Sequence, residues 1–108
     1  ELKKDGIKKN RGVASLYDLI QDEKFNHKAV VAGEWHRAKI VSSNGNVEHW
    51  LDNEKVLEYN RYSQVFKALI EYSKYSKWVN FAQQDSGYIL LQDHGDEVSF
   101  KNIKIREF

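Results

Sequence analysis

The sequence contains no cysteine, no proline and no methionine among its 108 residues. The absence of cysteine excludes disulfide bridges and thiolate metal sites. Average usage would give roughly five prolines in a chain of this length, so their absence is unusual for a domain that needs several loops. No apolar run is long enough to span a bilayer, which argues against a membrane-spanning protein.

The residues that are present have the balance of a globular domain. Hydrophobic residues make up 41% of the chain and charged residues 31%, unlike a disordered segment. Seventeen basic residues oppose sixteen acidic ones, for a net charge of +1, which does not favour a nucleic-acid partner. The length suits one small domain, and the polar, basic residues 1–12 predict an arm or loop before it.

Strand patterns recur along the chain. "VASLYDLI" (Val13–Ile20) predicts a strand, and residues 34–59 predict a three-stranded antiparallel meander. Asn44-Gly45 favours a type I′ hairpin turn, and "DNE" at 52–54 predicts a second tight turn. "GYILLQ" and "EVSFKNIKIREF" predict two closing strands joined by "DHGD".

The spacing of the apolar residues changes after residue 60. Apolar residues recur at spacings of three and four, which predicts a helix over 63–74 with Ser63 as its N-cap. These residues are Tyr62, Val65, Phe66, Leu69 and Ile70. An irregular loop follows, in which Trp78 and Phe81 are expected to pack. Four or five strands and one short helix predict an all-β antiparallel fold, with too few strands for a closed sandwich.

Four segments in order carry a family resemblance: "LYDLI", "AGEWHRAKIV", "NVEHWLDNEKVLEY" and "GYILLQDHGDEVSFKNIKIREF". They resemble the C-terminal half of the 3-keto-disaccharide hydrolase family, long labelled a domain of unknown function. The resemblance covers residues from about 12 to 108. Its closing motif, in which Leu-Gln-Asp-His-Gly precedes Phe-Arg-Asn-Ile-Lys-Ile in the family, is specific. The hairpin is also found in laminin G-like sandwiches.

The resemblance implies a concanavalin A-like jelly-roll β-sandwich that binds sugar on its concave face. Family members are nearly twice as long, so residues 13–108 are expected to be the C-terminal half of one domain. We expect the N-terminal strands, which this chain lacks, to come from a missing segment or from a second chain. The resemblance also implies a periplasmic, outer-surface or secreted location.

The chain departs from the family pattern at three places. His36 stands where the family usually has Asn, and Asp52-Asn53 stands where the family hairpin usually has Asn-Gly. The family also often has prolines after "LYDLI" and before the closing strands, where this chain has none. These departures bear on the shapes of the loops and therefore on the rim of any site.

Strand alternation assigns the side chains of "VEHWL" to two faces. Val47 and Leu51 are predicted to be core residues, with His49 on their side. Glu48 and Trp50 then point the other way. His49 is better explained as a hydrogen-bonded buried histidine than as a ligand.

The same alternation places Gln92 and His94 on the outer side of the closing strands. If these strands belong to the same sheet as "VEHWL", this is also the side of Glu48 and Trp50. An acid, an imidazole, an amide and an aromatic plate together are typical of sugar sites. Further substrate-binding candidates are Asp93, His49 and Asp18.

Each candidate also has an ordinary structural interpretation. Trp50 is equally typical of cross-strand packing, and Glu48 of a solvated strand residue. Aspartate is typical of turns, because its side chain bonds to its own backbone, and this interpretation applies to Asp18, Asp93 and Asp96. His94, beside Gly95, could also be a turn residue.

The resemblance implies 3-keto glycosides as substrates. A ketone at C3 acidifies the C2 proton; its removal gives an enediolate that expels the C1 substituent, and water addition completes a net hydrolysis. Such a reaction needs a base and a positive charge for the enediolate oxygen. We expect His94 to be the base or a metal ligand, Glu48 an acid–base group or metal ligand, and Gln92 and Trp50 sugar contacts.

A divalent metal ion is implied by the resemblance, whereas the sequence contains no i, i+4 histidine pair to hold one. The alternative function is a non-catalytic carbohydrate-binding module, because this type of fold serves both purposes. An enzyme should gather Glu48 and His94 in a pocket, and a binding module should present a flat aromatic platform.

Overall fold

The computed structural model describes residues 14–16, 19–20, 32–93 and 95–108. The elements in chain order are β1 (Ala38–Ser43), β2 (Asn46–Leu51), β3 (Glu54–Asn60), α1 (Gln64–Glu71) and a short 3-10 helix (Lys74–Lys77). The strands form one antiparallel sheet in the order β1-β2-β3. This confirms the meander predicted over 34–59, while the arm predicted at 1–12 lies outside the described residues.

Two tight turns connect the strands. Asn44 and Gly45 have φ values of 52° and 82°, and Asp52 and Asn53 have 49° and 69°. Two successive positive φ values define the type I′ turn, whose twist matches that of the strands it joins. Aspartate and asparagine enter this region more readily than other non-glycine residues, so the second hairpin forms without glycine.

The pairing between β2 and β3 contains a bulge. His49 lies opposite Leu57 and Trp50 lies opposite Lys55, so Val56 is an extra residue on β3. Val56 and Leu57 are 2% and 1% exposed. The bulge therefore lets two consecutive residues enter the core, where regular alternation would bury only one.

Helix α1 packs against the core side of the sheet through Phe66. Ser63 is its N-cap, as predicted, and its Oγ accepts a hydrogen bond of 3.1 Å from the Phe66 N–H. Phe66 is buried and stacks on Tyr59 with 5.3 Å between ring centroids. The buried hydrophobic residues are Leu19, Val47, Val56, Leu57 and Phe66. Within the described ranges, no helix combines the length and the apolar character needed to cross a membrane.

The loop after α1 contains a group of three aromatic side chains. Tyr75 and Phe81 stack with 4.1 Å between centroids, and Trp78 meets Phe81 edge-on at 6.2 Å. The packing expected of Trp78 and Phe81 is therefore present, although Trp78 remains 66% exposed.

The strand predicted over Val13–Ile20 is wrong at its described positions. The backbone turns back instead: Leu16 donates its N–H to the Ile20 carbonyl and accepts the Ile20 N–H, both at 2.9 Å. Leu19 enters the core in this turn. A tight turn satisfies these backbone groups locally, whereas a strand would need a neighbouring strand to do so.

The two closing strands are also wrong as predicted, because residues 86–93 and 95–108 contain no strand. A strand requires a hydrogen-bonded neighbour, and none of the described segments pairs with these residues. Their large apolar side chains remain exposed. Among the most exposed are Tyr88, Ile89, Leu90, Ile103, Ile105 and Phe108.

Candidate functional site

The sheet face opposite the core carries Glu48 and Trp50, as strand alternation predicts. The Trp50 Nε1–H donates a hydrogen bond of 2.8 Å to Glu48 Oε1. This bond fixes the orientation of the indole ring relative to the strand. The second carboxylate oxygen of Glu48 makes no hydrogen bond to any described residue. The pair therefore offers an oriented ring and an available carboxylate oxygen on one face.

Lys39 lies over the same ring. Its Nζ is 4.3 Å from the centre of the Trp50 ring, within the range of a cation–π contact. The two residues face each other directly across β1 and β2. Lys39 is not among the residues that the sequence predicts for the site. A two-residue turn at Asn44-Gly45 does fix the register that pairs residues 39 and 50, so the signal is present in the sequence.

A second polar group lies beside this one on β2 and β3. Glu58 accepts hydrogen bonds of 2.9 Å from Lys55 Nζ and 2.8 Å from Asn46 Nδ2. The bond from Lys55 lowers the pKa of Glu58 most, and the bond from Asn46 lowers it further. The charge of Lys55 is thus paired with a carboxylate.

His49 lies on the core side, as alternation predicts. Its Nδ1 is 3.0 Å from the Ala14 carbonyl oxygen and its Nε2 is 3.2 Å from the Tyr59 hydroxyl. Since a carbonyl can only accept, the neutral ring donates from Nδ1 and accepts from Tyr59 at Nε2. Burial raises the pKa of Tyr59, which keeps that hydroxyl protonated. His49 therefore has the contacts of a structural histidine, and its role in substrate binding stays a prediction.

No described contact joins the closing segment to Glu48 and Trp50. His94 and Asp18 lie outside the described residues. Gln92 is exposed and belongs to no strand. Asp93 Oδ1 accepts a hydrogen bond of 3.2 Å from the Gly95 N–H, which is the contact of a turn-forming aspartate. A surface shared by Glu48, Trp50, Gln92 and His94 stays a prediction.

The described residues do not form a complete metal site, since no three of their His, Asp or Glu side chains converge. The ligand roles predicted for Glu48 and His94 stay predictions. An open cleft of about 360 Å³ lies elsewhere, between the end of β1 and residues 105–108. None of the predicted site residues that the structure describes lines this cleft, which is bounded by Ser42, Ser43, Ile105, Arg106, Glu107 and Phe108.

Two positions that depart from the family pattern contact each other. His36 Nδ1 lies 2.7 Å from Asp52 Oδ2. Asp52 Oδ1 accepts a 2.9 Å hydrogen bond from the Arg37 N–H, and the Asp52 N–H donates to the Arg37 carbonyl at 2.8 Å. Asp52 therefore ties the turn after β2 to the chain that enters β1.

A charged cluster after β3 holds the loop that follows the aromatic group. Arg61 donates to the carbonyls of Ala82 and Gln84 at 2.9 and 3.0 Å and to Asp85 Oδ1 at 3.2 Å. The Tyr62 hydroxyl donates to the same Asp85 oxygen at 2.6 Å. The Tyr62 bond, followed by the Arg61 bond, lowers the pKa of Asp85, and the carboxylate raises the pKa of Tyr62.

In the described part of the chain, the antiparallel sheet, helix α1 and the polar outer face with its half-buried tryptophan are consistent with a fragment of a β-sandwich domain. Residues 2–106 match the family described as the 3-keto-alpha-glucoside-1,2-lyase-like domain. The chain belongs to this family, which confirms the resemblance seen in the sequence.

Two known proteins show how much of a whole family member the chain represents. It is 39% identical over 111 aligned positions to a 3-keto-disaccharide hydrolase of Bacteroides thetaiotaomicron, covering 94% of this chain and 38% of that protein. It also resembles the crystal structure of a protein from Parabacteroides distasonis that has been proposed to be a glycosyl hydrolase. That match has 26% identity and a TM-score of 0.56, and covers 63% of this chain and 30% of the other. The chain thus spans well under half the length of both.

Proposed function

We propose that this chain forms part of a domain that acts on 3-keto glycosides and releases the C1 substituent as a free alcohol. The observation that carries the proposal is the outer face of the sheet, where Trp50 is oriented by Glu48 beside the ammonium of Lys39. An aromatic plate with a carboxylate and a cation suits a polar sugar ring. Membership of the family and the name of the Bacteroides relative support the choice of substrate.

The chemistry starts at the C2 proton, which the C3 ketone acidifies. His94 takes this proton as the base; an unperturbed imidazole, with a pKa of about 6.5, is suited to that task near neutral pH. The electrons of the C2–H bond form an enediolate, which re-forms the ketone as the C1–O bond breaks. A proton returns to the leaving oxygen, and Glu48 is the proposed acid. Addition of water across the new C1=C2 bond gives the net hydrolysis.

The remaining predicted residues are proposed to hold the sugar. Trp50 provides the plate for its C–H surface, and Gln92 and Asp93 provide hydrogen bonds to hydroxyl groups. Asp18 and His49 are proposed at the edge of the site, with His49 beneath the sheet. In the alternative role, His94 and Glu48 would be among the ligands of a divalent ion, which would supply positive charge for the enediolate oxygen. Since the described residues form no complete metal site, further ligands would have to come from elsewhere.

We further propose that additional strands complete a jelly-roll sandwich around this chain. The exposed apolar side chains of residues 86–108 and the 38% coverage of the Bacteroides protein support this. A missing segment or a second chain supplies these strands. A periplasmic, outer-surface or secreted location fits carbohydrate substrates of this kind and is part of the same proposal.

The test is incubation of the complete domain with 3-keto glycosides, with and without a chelator, followed by measurement of the released alcohol. We expect turnover, and we expect His94→Ala to lower it by about a hundredfold or more, as for a positioned acid–base group. Asp96→Ala, two residues away, is the matched control and should stay near wild type. Full activity of His94→Ala would contradict the assignment of the base. Saturable sugar binding without turnover would favour the alternative of a carbohydrate-binding module. Turnover that is unchanged by the chelator would argue against a role for a divalent metal ion.

A further inference from the structure

Two lysines flank Trp50 in the sheet, and their surroundings differ. Lys39 on β1 and Lys55 on β3 both lie opposite Trp50 in the strand registers. Lys55 is paired with the Glu58 carboxylate at 2.9 Å. Lys39 makes no ion pair or hydrogen bond to the described part of the chain, and its ammonium is held over the indole ring. Within the described residues, one of the two positive charges therefore has no carboxylate partner.

The Lys39 ammonium occupies one face of the Trp50 ring, so a sugar that contacts the remaining exposed part of the ring would lie beside this charge. Glu48 and Lys39 approach the same ring, the carboxylate at the indole N–H and the ammonium over the ring face. An ammonium over an indole loses part of its hydration, and without a carboxylate partner it remains free to pair with an anionic oxygen. Such a cation is worth most when negative charge develops in the transition state.

We propose that Lys39 is a catalytic cation of this face, which pairs with the C3 oxygen of a 3-keto sugar seated on Trp50. This inference rests on the function proposed above and adds a residue to it. When the base removes the C2 proton, the C–H electrons form the C2=C3 bond and the C3 oxygen becomes an anion beside the ammonium. When the C1–O bond breaks, the C3 carbonyl re-forms, the leaving oxygen is protonated, and Lys39 keeps its own protons throughout.

The decisive comparison is between Lys39→Met and Lys55→Met in the complete domain. Methionine keeps much of the apolar stem and removes the charge. We expect Lys39→Met to lower kcat by about a hundredfold, with KM changed less than about threefold, because an interaction made mainly in the transition state is lost. Lys39→Arg should recover part of the loss. Lys55→Met should change kcat by less than about threefold.

A lysine that only orients Trp50 would give a different result. In that case Lys39→Met would raise KM and leave kcat near wild type, and the proposal would be wrong. Equal losses of kcat for the two methionine variants would also overturn it. Matching thermal unfolding curves for both variants and the wild type ensure that the comparison concerns the site.

A binding measurement separates this proposal from the function on which it rests. If the wild type turns over no 3-keto glycoside, the proposed function fails, and Lys39 is then tested with glucuronate and glucose as probes. Lys39→Met should weaken glucuronate binding about tenfold and leave glucose binding unchanged. Equal affinities of wild type and Lys39→Met for glucuronate would overturn the assignment of Lys39 as the anion-binding group.

Discussion

Contacts to two neighbouring side chains restrict the Trp50 ring, and this restriction affects how strongly the ring can bind a ligand. Its N–H is bonded to Glu48 and its ring face is in contact with Lys39. A ring restricted in this way has little rotational freedom left to lose when a ligand stacks on it, so less of the contact energy is offset by ordering. The same ring on a mobile loop would bind more weakly.

We expect Trp50→Ala to raise KM for a 3-keto glycoside about tenfold and to change kcat little. The reason is that an aromatic plate contacts the bound substrate and the transition state alike. Trp78→Ala is the control, because Trp78 is also exposed but lies in the loop after α1. A loss confined to kcat in Trp50→Ala, measured by steady-state kinetics, would contradict the role of a plate.

Asp85 gives a prediction about acid stability. The pKa of Asp85 in the folded protein lies below the ordinary value of about 3.9. The carboxylate therefore contributes fully to the free energy of unfolding when the pH is above the ordinary pKa, and this contribution is lost as the pH falls through the folded pKa. In urea unfolding, wild type should be more stable than Asp85→Asn from about pH 7 to pH 5, and the difference should shrink below about pH 4. A difference that is the same at pH 3 and pH 7 would count against this cluster.

Tyr62 gives the opposite prediction at high pH. The carboxylate of Asp85 raises the pKa of Tyr62, so the stability from this contact is present below the ordinary value of about 10 and is lost as the pH rises through the folded pKa. Wild type should therefore lose its advantage over Tyr62→Phe between about pH 10 and pH 12. An advantage that persists there would show that the hydroxyl contributes nothing through Asp85.

Among the elements, the bulge in β3 determines which side chains reach the two faces. An uninterrupted register from the Asp52-Asn53 turn would place Glu58 opposite Val47, on the core side. The extra residue at Val56 instead brings Tyr59 opposite Val47 and Glu58 opposite Glu48. Tyr59 thereby reaches His49 and Phe66, and Glu58 reaches the polar face.

The contrast between the two hairpins shows what the sequence can predict. The Asn44-Gly45 turn and strand alternation are enough to place Glu48 and Trp50 on one face of the sheet and Val47 and His49 on the other. The bulge has no comparable signal, since "EKVLEY" is compatible with either register. The closing segment has the alternation of a strand, but alternation cannot supply the neighbour that a strand needs. Turns and faces therefore follow from local chemistry, and pairing with distant or absent segments does not.

Helix α1 is attached to the sheet mainly through Phe66. This ring is 2% exposed and stacks on Tyr59, so Phe66→Ala should lower the free energy of unfolding by roughly 3–5 kcal/mol. The adjacent Val65→Ala is the control; Val65 is 72% exposed, and a change within about 0.5 kcal/mol is expected. Denaturant unfolding measures both. Similar values for the two variants would mean that α1 does not depend on this packing.

Among the described residues of the whole molecule, the core lies on one side of a three-stranded sheet, and the closing residues 86–93 and 95–108 carry exposed apolar side chains. Val47, Leu57 and Phe66 are buried, whereas the apolar residues of the last twenty positions are mostly half exposed or more. Exposed apolar surface on this scale is typical of interfaces and of incomplete domains.

We expect the 108-residue chain by itself to bind a hydrophobic dye and to self-associate, measured by fluorescence and by light scattering. Ile103→Lys with Ile105→Lys should reduce both effects, because these side chains are 63% and 83% exposed. In the complete domain the same two changes should instead prevent folding, since added strands would bury these positions. A monomeric chain that binds no dye would contradict the proposed completion of the sandwich.

The contact between His36 and Asp52 has an evolutionary consequence. Both side chains are largely buried, at 16% and 20% exposure, and both stand where the resemblance described above places asparagine. A histidine beside an aspartate can form a charge-assisted hydrogen bond, which is shorter and stronger than a bond between two neutral groups. Each substitution therefore favours the other, and the two positions should covary. Among many relatives, histidine at the first position should occur mainly in chains that have aspartate at the second.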